Sequence, residues 1–413
     1  MLSDTNKKHY IPMCMKAKRQ YIQDDLPKKF SVLARSLAKK KGLCIFELDG
    51  EWRIISWWNG NDTCRNIRNI SPPNVSQYFN LPFIGGWVGW MKYPVPIVDN
   101  FFWKTDGAIC YHIPSAIFHI VGSKDFCSEA HTFLHSPTFD TTKRQKVSIP
   151  KPNAADRHQF CQAIQKIKQA IRDGMVYQTN LAWKSKEFSL TTPLENYLHL
   201  QHHNPARFGC YLQFGDQQII SNSPELFLRC WGEPKLLHSQ PIKGTALRGN
   251  HHALWNDPKE RAELTMITDL VRNDLGKIAK IGSVHTHHRK LRRCGDLLHA
   301  EQSIYAQLHT KKDIFDVLDA TFPAGSITGA PKKSAIQYID RFENFSRGLY
   351  TGSIGFFSDH DVQHFNVAIR TLFVEKEKTN LYVGCGIVYD SNPQKEWEES
   401  IAKGNALSKI LFT

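Results

Sequence analysis

Asp257-Pro258-Lys259-Glu260-Arg261-Ala262-Glu263-Leu264 opens the stretch on which the reading of this fold turns. An acid at the cap, proline at the first helical position and glutamate at the third form a capping-box pattern. Behind it Ile267, Leu270, Val271 and Ile278 recur at helical spacing, so the spacing predicts a long helix. Working outward, a second helix is expected after Asn392-Pro393. A third, with Phe160, Ile164, Ile167 and Ile171 on one face, stops at Gly174. Short strand-like runs (Leu43 to Leu48, Trp52 to Trp58, Ala116 to Val121) fill the first 135 residues, and strand and helix signals alternate from Gly174 onward. Long helices among many strands make the class α+β or layered α/β. The Ser-, Thr- and Pro-rich segment 136–156 reads as a linker between an N-terminal region, 1–135, and a catalytic region, 157–413.

The two framing helices carry carboxylates at i, i+3: Glu260 and Glu263 on one, Glu396 and Glu399 on the other. At about 100° per residue, Glu260 falls within the apolar stripe and Glu263 at its edge. Glu396 and Glu399 share a face with Ala406, Leu407 and Ile410. Inward carboxylates are costly unless paired, protonated or bound to metal. Two such pairs could give oxygen ligands to magnesium. A cap and a solvated face explain the same spacing. Between the helices lies Pro241-Ile242-Lys243-Gly244-Thr245, a turn that can hold the Lys243 amine against a ligand. A lysine amine is a nucleophile only when neutral, as a desolvated or cation-rich pocket favours.

Composition bounds the rest. With 413 residues, 41% hydrophobic and 22% charged, the chain has the make-up of a soluble globular protein, and no apolar run is long enough to span a membrane. The N-terminus lacks a signal-peptide core, and ten scattered cysteines without a C-x-x-C pair suit free thiols in a cytoplasm. The formal charge of +14 is dispersed, with small clusters such as Lys39-Lys40-Lys41 and no nucleic-acid motif. That favours small anions or an acidic partner over nucleic acid.

Longer stretches resemble one family. They are Gly174-Met175-Val176-Tyr177-Gln178-Thr179-Asn180-Leu181, Ser223-Pro224-Glu225, the Lys243 turn, Asp269-Leu270-Val271-Arg272-Asn273-Asp274-Leu275-Gly276 and Phe322-Pro323-Ala324-Gly325-Ser326-Ile327-Thr328-Gly329-Ala330-Pro331-Lys332. Tyr350-Thr351-Gly352-Ser353-Ile354-Gly355, Ala368-Ile369-Arg370-Thr371 and Gly384-Cys385-Gly386-Ile387-Val388 complete the series. Together they resemble the chorismate-utilising enzymes, which include anthranilate, aminodeoxychorismate, isochorismate and salicylate synthases. The resemblance implies the anthranilate synthase component I fold, two β-sheets packed between helices. Relatives of the anthranilate type usually carry alanine where this chain has Lys243, and aminodeoxychorismate synthases carry lysine. Isochorismate and salicylate synthases place a water-activating lysine where this chain has Gln178, whose amide lacks useful basicity. The resemblance is therefore closest to the aminodeoxychorismate synthase component I branch.

That branch implies a covalent adduct of Lys243 with chorismate, Glu225 as the acid for the departing hydroxyl, and Mg2+ on Glu263 and Glu399 supported by Glu260 and Glu396. Arg370 and Tyr350 match residues at the enolpyruvyl carboxylate, and Lys403 one at a substrate carboxylate. Gln178, Thr245, Thr328, Gly329, Ala330, Gly384 and Gly386 would supply further contacts, by hydroxyl or backbone N–H. Nothing in the sequence resembles a glutamine amidotransferase, so ammonia is expected from a separate glutaminase subunit. Two departures stand out. Many relatives carry a histidine where this chain has Ala300, with His299 displaced by one, so His299 is left out of the expected site. Ser36 is a weak counterpart of a tryptophan-binding position in some relatives.

Overall fold

A computed structural model describes residues 26–70, 81–94, 100–135, 137, 142–247, 251–294 and 297–412. Among them, two nine-stranded antiparallel sheets stack on each other, with helices on both outer faces. The strand Cys44–Leu48 shows why. It is buried along its whole length, so both of its faces must be covered. Cys44, Phe46 and Leu48 enter the core between the sheets, where they meet Val88, Trp90, Trp103, Ile354 and Phe356. Ile45 faces the other way, into a core shared with the helices Leu26–Ser36, Lys124–His135, Ala154–Arg172 and Pro193–His203. The second sheet's outer face packs Phe227, Leu228 and Phe365 on Leu275, Val317, Leu318 and Ile339. The expected two sheets between helices are therefore observed.

Both large sheets draw strands from each side of residues 136–156. Cys44–Leu48 pairs with Cys210–Phe214 in one, and Gly86–Met91 with Ser353–Ser358 in the other. Boundaries differ from expectation where the chain changes sheets. The expected strand Trp52 to Trp58 stops at Ser56, and a new strand, Trp58–Cys64, begins in the opposite sheet. Residues 142–153 carry no helix or strand, yet Gln145 holds them in place. It accepts from Thr191 N–H at 2.6 Å, and its own N–H donates to the Thr192 hydroxyl at 2.8 Å. The helix Ala154–Arg172 starts within the expected linker because Asn153 and Asp156 close a capping box there.

Two three-stranded sheets frame the site. One joins Ile242–Leu247, Leu297–Glu301 and Lys290–Cys294; the other joins Gly329–Ala330, Gln178–Lys184 and Tyr382–Ile387. The helices Pro258–Gly276 and Pro393–Phe412 flank them.

Candidate active site

The Lys243 turn is built by a bulge. Lys243 pairs with Ala300 and Thr245 with His299, and the register shifts between them. Gly244 takes up the kink at φ +75, a conformation that favours glycine. The ammonium of Lys243 donates to the Ser326 carbonyl at 3.3 Å. The Ser326 hydroxyl in turn donates to Oε1 of Glu225 at 2.5 Å. Glu225 is 3% exposed. Burial pushes its carboxyl up to about 7, against the opposing pull of the Ser326 hydrogen bond and the Lys243 charge. A carboxyl in that range can hold and release a proton near neutrality.

Opposite this pair, an Nη of Arg370 lies 3.0 Å from Nε2 of His299, and His299 Nδ1 lies 3.2 Å from the Gly244 carbonyl. A guanidinium only donates and a carbonyl only accepts, so His299 is the neutral tautomer protonated at Nδ1. Burial, with the Arg370 charge beside it, pushes the imidazole down to about 3. His299 thus faces Arg370 as a neutral ring whose one N–H is held by the Gly244 carbonyl. Its place in the site departs from the sequence expectation, and follows from the bulge that sets His299 across from Thr245.

The four glutamates line one cleft with Lys243, Glu225, Arg370 and Lys403. Asp257 caps its helix by accepting from Lys259 and Glu260 N–H. The Glu260 carboxylate does not return to close the expected box; a Cβ on Gly244 would lie 2.9 Å from its Oε2. Burial raises Glu260 and Glu263, and the other glutamates add to the rise. On the second helix the buried face runs through Glu396, Trp397, Ser400, Gly404 and Leu407. Glu399 is therefore half-exposed at the rim rather than inward, where Lys403 sits 2.7 Å away. Burial acts against it, but Lys403 holds Glu399 below the usual carboxylate range. Ser391 donates to Glu396 at 2.7 Å, and the Lys259 ammonium stands 3.9 Å from both Glu263 and Glu396.

Among the described residues no three His, Cys, Asp or Glu side chains converge on one point. The donor type nevertheless fits a hard cation, being carboxylate oxygen throughout. The burial that raises Glu260 and Glu263 is also what a divalent ion would offset.

The cleft brings together Lys243, Glu225, Tyr350, Arg370, Gly384, Gly386, Lys403 and the four glutamates. Gln178 is not among the lining residues but reaches toward it. A Cβ on Gly386 would sit 2.3 Å from Gln178 Nε2 and 3.5 Å from Lys243 Nζ, so glycine there leaves space for the amide. Likewise, a Cβ on Gly384 would meet Asn180 and the Tyr350 hydroxyl. Thr328 does not line the cleft: its hydroxyl donates to the Ala324 and Gly325 carbonyls, and its N–H to Gly325. Gly329 and Ala330 instead pair with Thr179 and Gln178. The side chain of Thr245 lies outside the described residues. Ser36 donates to the Val32 carbonyl within its own helix. Sequence reasoning missed Ser326, Asn180, Tyr382 and Lys259 as lining residues. Ser326 was visible in its motif, but nothing in the sequence joins it to a carboxylate 101 residues away.

A family model described as chorismate binding enzyme matches residues 119–409. Aminodeoxychorismate synthase component 1 of Bacillus subtilis is 39% identical over 262 residues, 61% of this chain and 55% of that protein. An anthranilate synthase component 1 of Haloarcula marismortui is 38% identical over 260 residues, 61% and 53% respectively. The chain spans about half the length of these two relatives. Anthranilate synthase component 1 of Lactococcus lactis is 34% identical across 99% of this chain and 98% of its own. Among solved structures, anthranilate synthase component I from Streptococcus pneumoniae superposes with a TM-score of 0.74 at 25% identity, covering 89% of this chain and 90% of that one.

Proposed function

The chain belongs to the chorismate-binding enzymes, and we propose that within this family it aminates chorismate as component I of an aminodeoxychorismate synthase. One observation carries this reading: an amine and a buried carboxyl with a raised pKa sit on the two sides of Ser326 in one cleft. Arg370, set by His299, and Tyr350 receive the enolpyruvyl carboxylate, which suits arginine's planar fork. Lys403 and the backbone at Gly384 and Gly386 receive the other anionic end. Thr245 adds a donor, while Thr328, Gly329 and Ala330 support the wall behind. Glu263 and Glu399, with Glu260 and Glu396, would hold Mg2+, which would supply positive charge to neutralise and orient the ring carboxylate.

Lys243 gives up its ammonium proton to the Glu225 carboxylate, the amine forms a bond to ring carbon 2, the ring π electrons shift, and the bond from carbon 4 to its hydroxyl breaks. Glu225 delivers its proton to that oxygen, which leaves as water. Ammonia then bonds to carbon 4, the π electrons return, and the carbon 2–Lys243 bond breaks. The product is 4-amino-4-deoxychorismate. Two easier displacements replace one difficult one. Gln178 supplies no base for water, which disfavours an isochorismate-forming reaction. Ammonia comes from a separate glutaminase subunit, and the product serves 4-aminobenzoate and folate synthesis in the cytoplasm. Among the described residues no helix is long and apolar enough to cross a membrane.

The full-length match to the Lactococcus lactis anthranilate synthase favours a second reading, chorismate to anthranilate, in which Lys243 takes no covalent part. Incubation with chorismate, Mg2+ and ammonium separates the two by product mass. Aminodeoxychorismate as the main product supports the first reading. Anthranilate fluorescence without an added lyase sinks it.

A further inference from the structure

We propose that Ser326 is a positioning residue, which fixes the carboxyl of Glu225 and the amine of Lys243 relative to one another through its hydroxyl and its carbonyl. The proposal rests on the reading of Glu225 as proton donor and Lys243 as nucleophile. Both contacts come from one residue and reach two separate strands: 2.5 Å to Glu225 Oε1, just before Leu226–Trp231, and 3.3 Å from Lys243 Nζ on Ile242–Leu247.

A bridge positions its partners only if it is itself held, and Ser326 is. It lies in the short turn Gly325–Ile327, is 6% exposed, and has both neighbouring residues buried. Thr328 closes the turn by donating to the Ala324 and Gly325 carbonyls at 3.0 and 3.3 Å. Arg347, itself buried, donates to the Ile327 carbonyl at 3.0 Å and to Glu343 at 2.6 and 2.8 Å. Glu343 accepts from Ala182 N–H in the neighbouring strand at 2.8 Å. Gly325 meets the helix Pro258–Gly276 so closely that a Cβ would lie 2.6 Å from Leu270. Arg347 and the helix Pro258–Gly276 thus anchor the turn to the core from two sides.

The charged groups that share the cleft with Glu225 are Lys243, Lys259, Arg370, Lys403 and the four glutamates, beside neutral His299, and Asp274 shares with it a small cavity behind. Asp274 is already paired with Lys277 and Lys332. The Ser326 hydroxyl makes the side-chain hydrogen bond to the Glu225 carboxylate and the Ile242 backbone adds another; both favour the charged form.

The test uses the full chain with Ser326→Ala, Ser326→Thr and Glu225→Gln. Rates of chorismate consumption with Mg2+ and ammonium are measured across neutral pH. The protonated Glu225 carboxyl is followed by its infrared band, assigned by its loss in Glu225→Gln. In Ser326→Ala the band should titrate about one pH unit higher, because a hydrogen bond to a charged group is lost. The alkaline limb of kcat should move with it, and kcat should fall about tenfold or more while KM stays within about twofold. Ser326→Thr, which keeps the hydroxyl, should restore both positions. A purely structural role would not move the titration. An alanine variant whose carboxyl titrates at the wild-type pH overturns the proposal. A band that moves while Glu225→Gln leaves the alkaline limb in place supports the hold of Ser326 on the carboxyl and removes Glu225 as the proton donor.

Discussion

At the scale of single residues, the site separates groups that react from groups that aim. Lys243 is only half-buried, and its carbonyl partner belongs to a turn anchored elsewhere. Lys243→Ala should therefore leave the fold intact while lowering aminodeoxychorismate formation by about a hundredfold or more, as expected when a covalent route is removed. Circular dichroism and a product assay check the two halves; unchanged amination would rule out the covalent step. His299 illustrates the other class. Its neutral ring cannot donate a proton at working pH, and what it does is face the Arg370 guanidinium. His299→Ala should raise KM for chorismate about tenfold, with a smaller change in kcat and no shift in the pH profile. A lost pH limb in that variant would show it acting as an acid instead.

At the scale of elements, the two glutamate-bearing helices show which parts of the site were legible in the sequence. Their existence and the i, i+3 pairs could be read directly, because caps and periodicity are local. Where each carboxylate points could not. Glu260 leaves its cap for the Gly244 turn, and Glu399 lies at the rim because Trp397, Ser400 and Gly404 take the buried face. Those outcomes depend on what packs against the helix. The same holds for Gly386, expected from the resemblance as a substrate contact but in the fold also the gap beside Gln178 and Lys243. Two predictions belong here. Glu263→Gln, which removes one carboxylate charge from the set, should weaken Mg2+ activation at least tenfold in a metal titration. Gly386→Ala places a methyl 2.3 Å from Gln178 Nε2 and should cost at least tenfold in chorismate turnover; wild-type turnover would mean that the amide is free to retreat.

For the whole molecule, the layering was legible through strand-like runs among long helices and through resemblance, whereas the strand order was not. Nothing local tells that the chain changes sheets at Trp57, or that the sheets interleave strands from both ends of the chain. Glu225, just before Leu226–Trp231, is buried, with a consequence for stability. Its folded-state pKa of about 7 lies above the ordinary value of 4.5, so the folded protein binds this proton more tightly than the unfolded chain does. Below about pH 4.5 both states are protonated and the associated stability is fully present. As pH rises through about 7 the folded state must ionise a buried carboxyl, and that stability is lost. The gap corresponds to about 3 kcal/mol. Glu225→Gln, which is neutral at every pH, should therefore be more stable than the wild type at pH 8 by up to that amount, yet nearly equal to it near pH 4.5. Buried His299 and His238, both pushed down to about 3, act oppositely: their contribution is present above about 6.5 and lost as pH falls. They are common to both proteins and cancel in the comparison. Urea midpoints for the pair at the two pH values check the prediction. A difference that does not grow with pH would mean that Glu225 ionises in the folded state no less readily than in solution, and a site that gains stability when its acid is removed is one whose acid is held there for chemistry.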